Sequence, residues 1–434
     1  MLERLFKLKE NRTDVRTEVI AGITTFMTMA YIIFVNPSIL SNAGMPFGPV
    51  MTATVLAAGL TTLLGGFMAN YPYALASGMG LNAFFAFTVA QKAGWQAALA
   101  VVFLEGIIFL VLAVTGAINK IDAAIPQTIK RAVGVGIGLF IAFIGAHNAG
   151  LIQASPATLV TRGDLTQPGP LLAIVGLLIT AVLMALKVRG AILLGIIITT
   201  IIGIPMGVTK ITGSIVGMPA SLSPIFFKMD FKGALSLGFM TIFAFWFVDV
   251  FDTVGTLMGT ASRANMLDEK GQLPRIRQAM TVDAIGTCLG AVLGTSTVTT
   301  YVESSAGIAE GGRTGLTAVV VGVLFLLSLV FAPLAGMVPA YATAPALIIV
   351  GVLMMLPVKD IDWSDFTEAF PAFITIAMMP FAFSISDGIA AGFVAYPIVK
   401  AVAGKGREVH WLVYVLGVLS LIHLAPGLFA ALGL

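Results

Sequence analysis

Two stretches, YPYALASGMGLNAFFAFTVA at 71–90 and GTSTVTTYVESSAGIAEGG at 294–312, decide how this chain is built. The first opens with Pro72 and a run of small residues as far as Gly80. Its helix-forming part, 81–90, is too short to cross a bilayer, which takes about 20 residues. The second carries a β-branched and aromatic run at 296–302, a strand composition, and then small residues that tolerate a helix. Each predicts a short extended segment leading into half a helix. Both sit in a chain that is 58% hydrophobic and only 10% charged over 434 residues. Soluble domains carry about a quarter charged residues, so lipid must be the solvent here. Extended backbone at membrane depth is tolerated only where protein or a cavity satisfies its polar groups. Two interrupted segments at matching positions of two halves point to a binding site. Their half-helix N-termini would face each other, offering N–H groups and positive dipole ends.

Outward from these segments, apolar runs long enough to cross recur from end to end. The spans fall near 18–42, 50–70, 73–91, 94–118, 126–148, 169–187 and 190–207, then 236–262, 276–293, 296–311, 314–336, 341–357, 368–383 and 386–402. A further apolar segment, 411–434, reads equally as an extra crossing or as a helix lying in the interface. The predicted fold class is an all-α polytopic membrane protein of about 14 transmembrane segments. A transmembrane β-barrel would alternate polar and apolar residues, which these runs do not. With the N-terminus inside, nineteen of the 24 Lys and Arg residues fall on the inner side. Only Lys92, Arg162, Lys210, Lys228 and Lys232 fall outside, the bias of the positive-inside rule. The charged, amphipathic N-terminus MLERLFKLKENRTDVRTEV is not expected to be a cleaved leader.

The halves also resemble each other. IPQTIKRAVGVGIGLFI (125–141) lines up with VPAYATAPALIIVGVLM (338–354), placing Pro126 on Pro339 and Gly138 on Gly351. LKVRGAILLGI (186–196) lines up with FSISDGIAAGF (383–393), placing Gly195 on Gly392 and Gly190 one position from Gly388. Seven spans per half is an odd number, so the second copy is inverted. That 7+7 inverted repeat is a common plan of secondary transporters.

Acids inside spans are expensive and usually functional. The candidates are Glu105, Asp249, Asp252, Asp283, Glu303 and Glu310. Glu303 sits where the strand gives way to the half-helix. Asp249 and Asp252 are three apart, predicted on one face of the eighth span. Two carboxylates in a dry cavity can accept paired N–H groups from a planar heterocycle. Mutual repulsion and burial also let one of them hold a proton and carry it with the substrate. Glu303 and Asp252 are read as functional by position. For Asp249, Asp283 and Glu105 a structural role, bonded to neighbouring hydroxyls, stays open. Glu310 is placed at the inner interface, and His147 at a span end as structural. Asn82, in the first half-helix, either bonds a base edge or caps free backbone groups. Tyr301, Phe84, Phe85 and Phe251 are stacking candidates or ordinary packing. Cys288 is alone, and the three histidines lack metal-ligand spacing.

TTFMTMAYIIFVNPSIL (24–40), SGMGLNAFFAF (77–87), FVDVFDTVGTLMG (247–259) and TTYVESSAGIAEGGRTGL (299–316) resemble the AzgA-like branch of the nucleobase:cation symporters, in the nucleobase–ascorbate transporter superfamily. The resemblance implies a core domain of 1–118 and 236–337 and a gate domain of 119–207 and 338–434, with 208–235 an outer loop. It implies import of adenine, guanine or hypoxanthine into the cell across its plasma or inner membrane, with the N-terminus cytoplasmic. It further implies a co-transported proton in place of any bound cofactor, no metal and no nucleic-acid partner, and a homodimer in lipid. Carried onto this chain, the substrate-binding set is Asp252, Glu303, Asn82, Gly80, Val302, Ser304 and Phe251, with Asp252 and Glu303 also the proton-coupling pair. The uracil-type relatives have Glu where Asp252 stands and His where Thr256 stands. The shorter acid leaves room for a two-ring base. The missing His leaves Asp252 or Glu303 to carry the proton.

Other readings fit less well. A carrier of xanthine or uracil differs only in substrate. An anion carrier of the same fold would want a neutral or cationic site. A channel would want repeated polar faces along continuous helices or a filter loop. An enzyme would want a nucleophile with its base, or metal ligands. No nucleotide-binding segment is present, so ATP-driven transport is not expected of this chain.

Overall fold

The computed structural model describes residues 2–211, 216–264, 266–268 and 272–425. Lys270, counted above among the inner charges, and residues 426–434 of the last apolar segment lie outside that set. The first half holds α1 (Val15–Ser41), α2 (Phe47–Met68), α3 (residues 79–93), α4 (Trp95–Thr115), α5 (Gln127–Asn148), α6 (Pro168–Ala185) and α7 (Ala191–Gly203). The second holds α8 (Phe239–Arg263), α9 (Ile276–Leu293), α10 (Ser304–Ala309), α11 (Gly315–Ala335), α12 (Ala340–Met354), α13 (Phe366–Phe381) and α14 (Ile385–Val402). A fifteenth helix, α15 (Trp411–Leu424), follows. Among the described residues nine helices are long and apolar enough to cross a membrane. At 1.5 Å per residue, the 21 residues of α4 reach about 31 Å, a full hydrocarbon core. The eighth span starts at Phe239, after Gly238 at φ +81°, rather than at 236.

The sequence repeat is visible in the packing. Pro126 and Pro339 cap the N-termini of α5 and α12. These two helices lie against each other with Gly138 facing Gly351. A Cβ placed on Gly138 would stand 2.7 Å from the Gly351 carbonyl oxygen, and one on Gly351 would stand 2.5 Å from that of Gly138. Small residues let two backbones approach this closely in lipid. Gly195 of α7 and Gly392 of α14 repeat a second contact, each meeting a threonine hydroxyl, that of Thr180 on α6 and Thr375 on α13.

Each half also contributes one short strand, β1 (Leu75–Ser77) and β4 (Val298–Thr300). They pair antiparallel, Leu75 with Thr300 and Ser77 with Val298. The Gly78 N–H donates to the Thr297 carbonyl and the Tyr301 N–H to that of Ala74, each at 3.0 Å. Strand β4 is shorter than the predicted 296–302, because its partner β1 offers only three residues before α3 begins. The half-helices leave this ribbon at opposite ends. Side chains complete the satisfaction of the ribbon: Thr62 bonds both polar groups of Leu75. A second hairpin, β2 (Ile152–Ser155) with β3 (Leu159–Arg162), lies in the exposed connection from α5 to α6 and was not expected from the sequence.

The helices pack in two groups. In one, α2 lies on α9 and α11, and α4 lies on α8 and α9. In the other, α5 packs on α12, α13 and α14, and α6 on α7 and α12. Helix α15 runs back along α14: Gly417 meets the Phe393 carbonyl, and His423 lies 2.9 Å from Asp387 near the start of α14. The described part of 411–434 is a helix packed lengthwise and antiparallel beside α14.

Candidate functional site

Helix α8 is a 25-residue helix whose sequence FVDVFDTVG mixes two acids into an apolar run. Three helical steps of 100° leave its two acids about 60° apart around the axis. That offset separates them. Asp249 is fully buried toward α9, where Thr287 bonds it at 3.1 Å. Asp252 is exposed on the wall of a cavity of about 420 Å³. Residues three apart share a helix face, as expected, but the packing divides that face, giving Asp249 to α9 and Asp252 to the cavity. The cavity is walled by Gly78, Gly80 and Leu81 at the start of α3, by Lys130, Val133 and Ile137 of α5, by Phe251, Asp252 and Gly255 of α8, and by Met354 at the end of α12. Its volume lies in the range that small-molecule sites occupy. The N-terminus of α3 borders this space, and the first N–H groups of a helix have no intrahelical partners. Gly80 is needed as glycine, since a Cβ there would stand 2.6 Å from Cγ2 of Ile137.

Glu303 sits at the N-cap position of α10, and its Oε1 accepts a hydrogen bond from the Tyr31 hydroxyl at 2.6 Å. Glu303 is half-buried and, unlike Asp252, is not part of the cavity wall, although the two carboxylates are near enough to interact electrostatically. Tyr31 is buried at the break between the two parts of α1, 15–29 and 32–41.

The remaining expectations divide. Gly80 and Phe251 line the cavity. Asn82 is fully buried and does not; its Nδ2 donates to the Ser77 carbonyl at 3.3 Å, while its Oδ1 has no partner. Of its two expected roles, the backbone-capping one is present. Ser304 is buried as well, its hydroxyl accepting the Ala74 N–H at 3.0 Å, because a strand donor at that depth requires a partner. Val302 is 55% exposed but is not part of the cavity wall. Phe84 packs on Phe245 at 4.7 Å, Phe85 is fully buried, and the Tyr301 hydroxyl donates to the Ser77 carbonyl. These three are packing residues. His147 lies exposed at the end of α5, and Glu310 pairs with Arg189.

Glu105, Asp249 and Asp283 form a buried layer behind β4, each fully excluded from solvent. Glu105 accepts from the Thr297 hydroxyl at 3.3 Å. The Thr287 hydroxyl bridges Asp249 to both polar groups of Val298. Asp283 accepts from the Thr300 N–H at 2.9 Å and from the hydroxyls of Thr300 and Thr253 at 2.8 Å. Three helices thus hold one strand, and the structural alternative for these acids is the one observed.

Sequence reading missed two residues. Lys130 lines the cavity with its Nζ 2.6 Å from Asp122 Oδ1 and 5.0 Å from the Phe251 ring centroid. A basic residue in the first turn of a span runs against the helix dipole, and that was the available signal. Tyr31 was hidden because its role depends on where α1 breaks.

The permease family matches residues 16–391. This chain belongs to that family. The putative permease MJ0326 of Methanocaldococcus jannaschii is 54% identical over 96% of this chain and 97% of its own length. The adenine permease AdeP of Escherichia coli is 47% identical over 97% of this chain and 95% of its own. The guanine/hypoxanthine permease PbuO of Bacillus subtilis is 45% identical over 97% and 99%. The family member described here is a transporter of the AzgA-like branch, not an enzyme. Its fold is similar to that of the transmembrane domain of the bicarbonate transporter BicA from a cyanobacterium, with a TM-score of 0.65 at 17% identity, over 87% of this chain and 97% of that one. This is the seven-plus-seven inverted-repeat transporter fold.

Proposed function

We propose that this permease imports purine nucleobases, adenine, guanine or hypoxanthine, by proton symport. The observation that carries the reading is the meeting of a half-helix N-terminus with Asp252 across one cavity, with Glu303 in reach. A neutral purine presents N–H donors to the carboxylates and ring nitrogens to the N–H groups at the start of α3. Its face lies against Phe251. Two neighbouring carboxylates repel, so in this reading one of them holds a proton that travels with the base. Relatives named as adenine and as guanine/hypoxanthine permeases support this substrate class.

In this reading α1–α4 with α8–α11 are the core domain, and α5–α7 with α12–α15 are the gate domain. Their relative movement exposes the site to each side in turn. The cavity opens toward the face that bears the start of α5 and the end of α12, which the charge bias assigns to the cytoplasm. The present conformation is then inward-facing, in the cell membrane. An anion carrier is disfavoured: at 4 Å in a medium of effective dielectric 20, a carboxylate repels an anion by about 4 kcal/mol.

The test is uptake of labelled adenine, guanine, hypoxanthine, xanthine, uracil and bicarbonate into proteoliposomes, with and without an inward proton gradient. Uptake of a purine that the gradient drives above equilibrium supports the reading. Gradient-independent uptake rejects symport. Uptake of bicarbonate or uracil in preference to every purine rejects the substrate.

A further inference from the structure

We propose that Lys130 is the internal counter-ion of the unloaded carrier: its ammonium takes the place of proton and base beside the Asp252 carboxylate and so lets the empty site return. The proposal rests on the purine-symport reading and gives a task to a residue that this reading leaves without one. Lys130 lies in the first turn of α5 and shares its cavity-facing stripe with Gln127, Val133 and Ile137. Asp252 faces the same space from α8. Among the described residues Lys130 is the one basic side chain on the cavity wall, and the core-domain part of that wall has none. Neighbouring cations of the gate domain are committed elsewhere: Arg131 donates to the Asp360 carbonyl, and Lys400 pairs with Glu368.

Two of the three ammonium donors go to Asp122, one to its Oδ1 and one to its carbonyl oxygen, each at 2.6 Å. Asp122 belongs to the short helix Ile118–Ala124, just before α5. The same Nζ stands 5.0 Å from the ring centroid of Phe251, the residue next to Asp252. The charge thus already bridges gate domain to core domain, one residue short of the acid. A purely structural ion pair has no need of this placement. A cation in the first turn opposes the α5 dipole, and Asp122, with its side chain 33% exposed, is within reach of water. The flexible four-carbon stem lets the ammonium leave Asp122. The state of the site decides when it does so. With proton and base aboard, Asp252 is satisfied by them. Once both have left, the open cavity hydrates the carboxylate, but closing the cavity strips that water, and an unpaired buried carboxylate is costly. Pairing with Lys130 removes most of that cost. A base bound without its proton would hold Lys130 and the bare carboxylate apart, so that state stays put, which is what coupling requires.

The experiment compares two modes of transport by the full chain in proteoliposomes, with a labelled purine that the unmodified protein takes up. Net uptake down a proton gradient needs the empty carrier to return. Exchange of labelled base outside for unlabelled base inside, at equal pH, does not. Lys130→Met should lose net uptake about tenfold or more while exchange stays within about threefold of wild type, because only the empty step is blocked. Lys130→Arg keeps the charge and should keep both modes within about threefold. Asp122→Asn removes only the present partner and should keep net uptake. A loss there equal to that of Lys130→Met makes the pair a structural staple and overturns the proposal. Undiminished net uptake by Lys130→Met, or equal loss of both modes, overturns it as well. Lys130→Gln, which keeps a polar tip, is read by the same two criteria if the methionine variant does not fold. Unmodified protein that neither takes up nor exchanges any purine defeats the purine reading itself, and this proposal with it.

Discussion

Removing Asp283 tests how an extended strand survives at bilayer depth. Its Oδ2 accepts the Thr300 N–H and the hydroxyls of Thr300 and Thr253. In Asp283→Ala all three donors lose this acceptor. The Thr253 hydroxyl keeps Thr299 at 2.8 Å as a partner. The Thr300 N–H points away from β1 and has no substitute. One orphaned buried donor costs about 1–3 kcal/mol, and the lost hydroxyl bonds and vacated volume bring the total to about 2–4 kcal/mol. Asp283→Asn keeps a carbonyl acceptor, so its cost should stay within about 1 kcal/mol. Asp283→Leu fills the volume without an acceptor and should behave like the alanine variant. Thermal unfolding in detergent ranks the four proteins, and purine binding at saturation reports whether the strand still presents Glu303. The reasoning fails if Asn destabilises as much as Ala, for then charge rather than acceptance matters. It also fails if Leu restores the wild-type midpoint, for then volume matters.

Other outcomes follow from the same contacts. Tyr31→Phe removes the hydroxyl that Glu303 accepts; a hydrogen bond to a charged group contributes about 1.5–3 kcal/mol, so purine affinity should fall about tenfold or more, and an unchanged Kd would remove Tyr31 from the site. Gly80→Val drives a side chain into Ile137 and the cavity wall and should abolish uptake, with Ile137→Ala restoring part of it; no recovery in the double variant would place the obstruction elsewhere. Outside the membrane, Lys405 first and then Thr367 hold the Asp365 carboxyl below the usual range. A depressed value stabilises above the ordinary aspartate range and is lost only as pH falls through the lowered value. The gap in melting midpoint between wild type and Asp365→Asn should therefore be constant from about pH 5 to 8 and close only in strong acid. Closure near neutrality would contradict the Lys405 contact.

Much of this architecture was written in local composition. Pro72 and the small residues after it, and the β-branched run 296–302, announce two broken helices without any knowledge of what they touch. The matched Pro126 and Pro339, and Gly138 and Gly351, announce the repeat because close helix contacts demand small residues. Strand pairing was not legible, since three-residue strands carry no register signal. Asp249 and Asp252 looked alike because spacing gives only an angle; which side of that angle meets α9 and which meets the cavity is settled by tertiary packing. Phe84 and Phe85 looked like stacking candidates for the same reason: an aromatic ring reads identically whether it meets ligand or Phe245. Lys130 and Tyr31 act through partners far away in sequence, Phe251 and Glu303, and no local pattern names those partners.

The central claim, that the base sits between the start of α3 and Asp252, is tested most directly by a structure of the protein loaded with a purine. The account predicts flat density against Phe251, with its polar edge within hydrogen-bond distance of the Asp252 carboxylate. Density in a place walled by neither Gly80 nor Asp252, under conditions where binding is saturated, would contradict it.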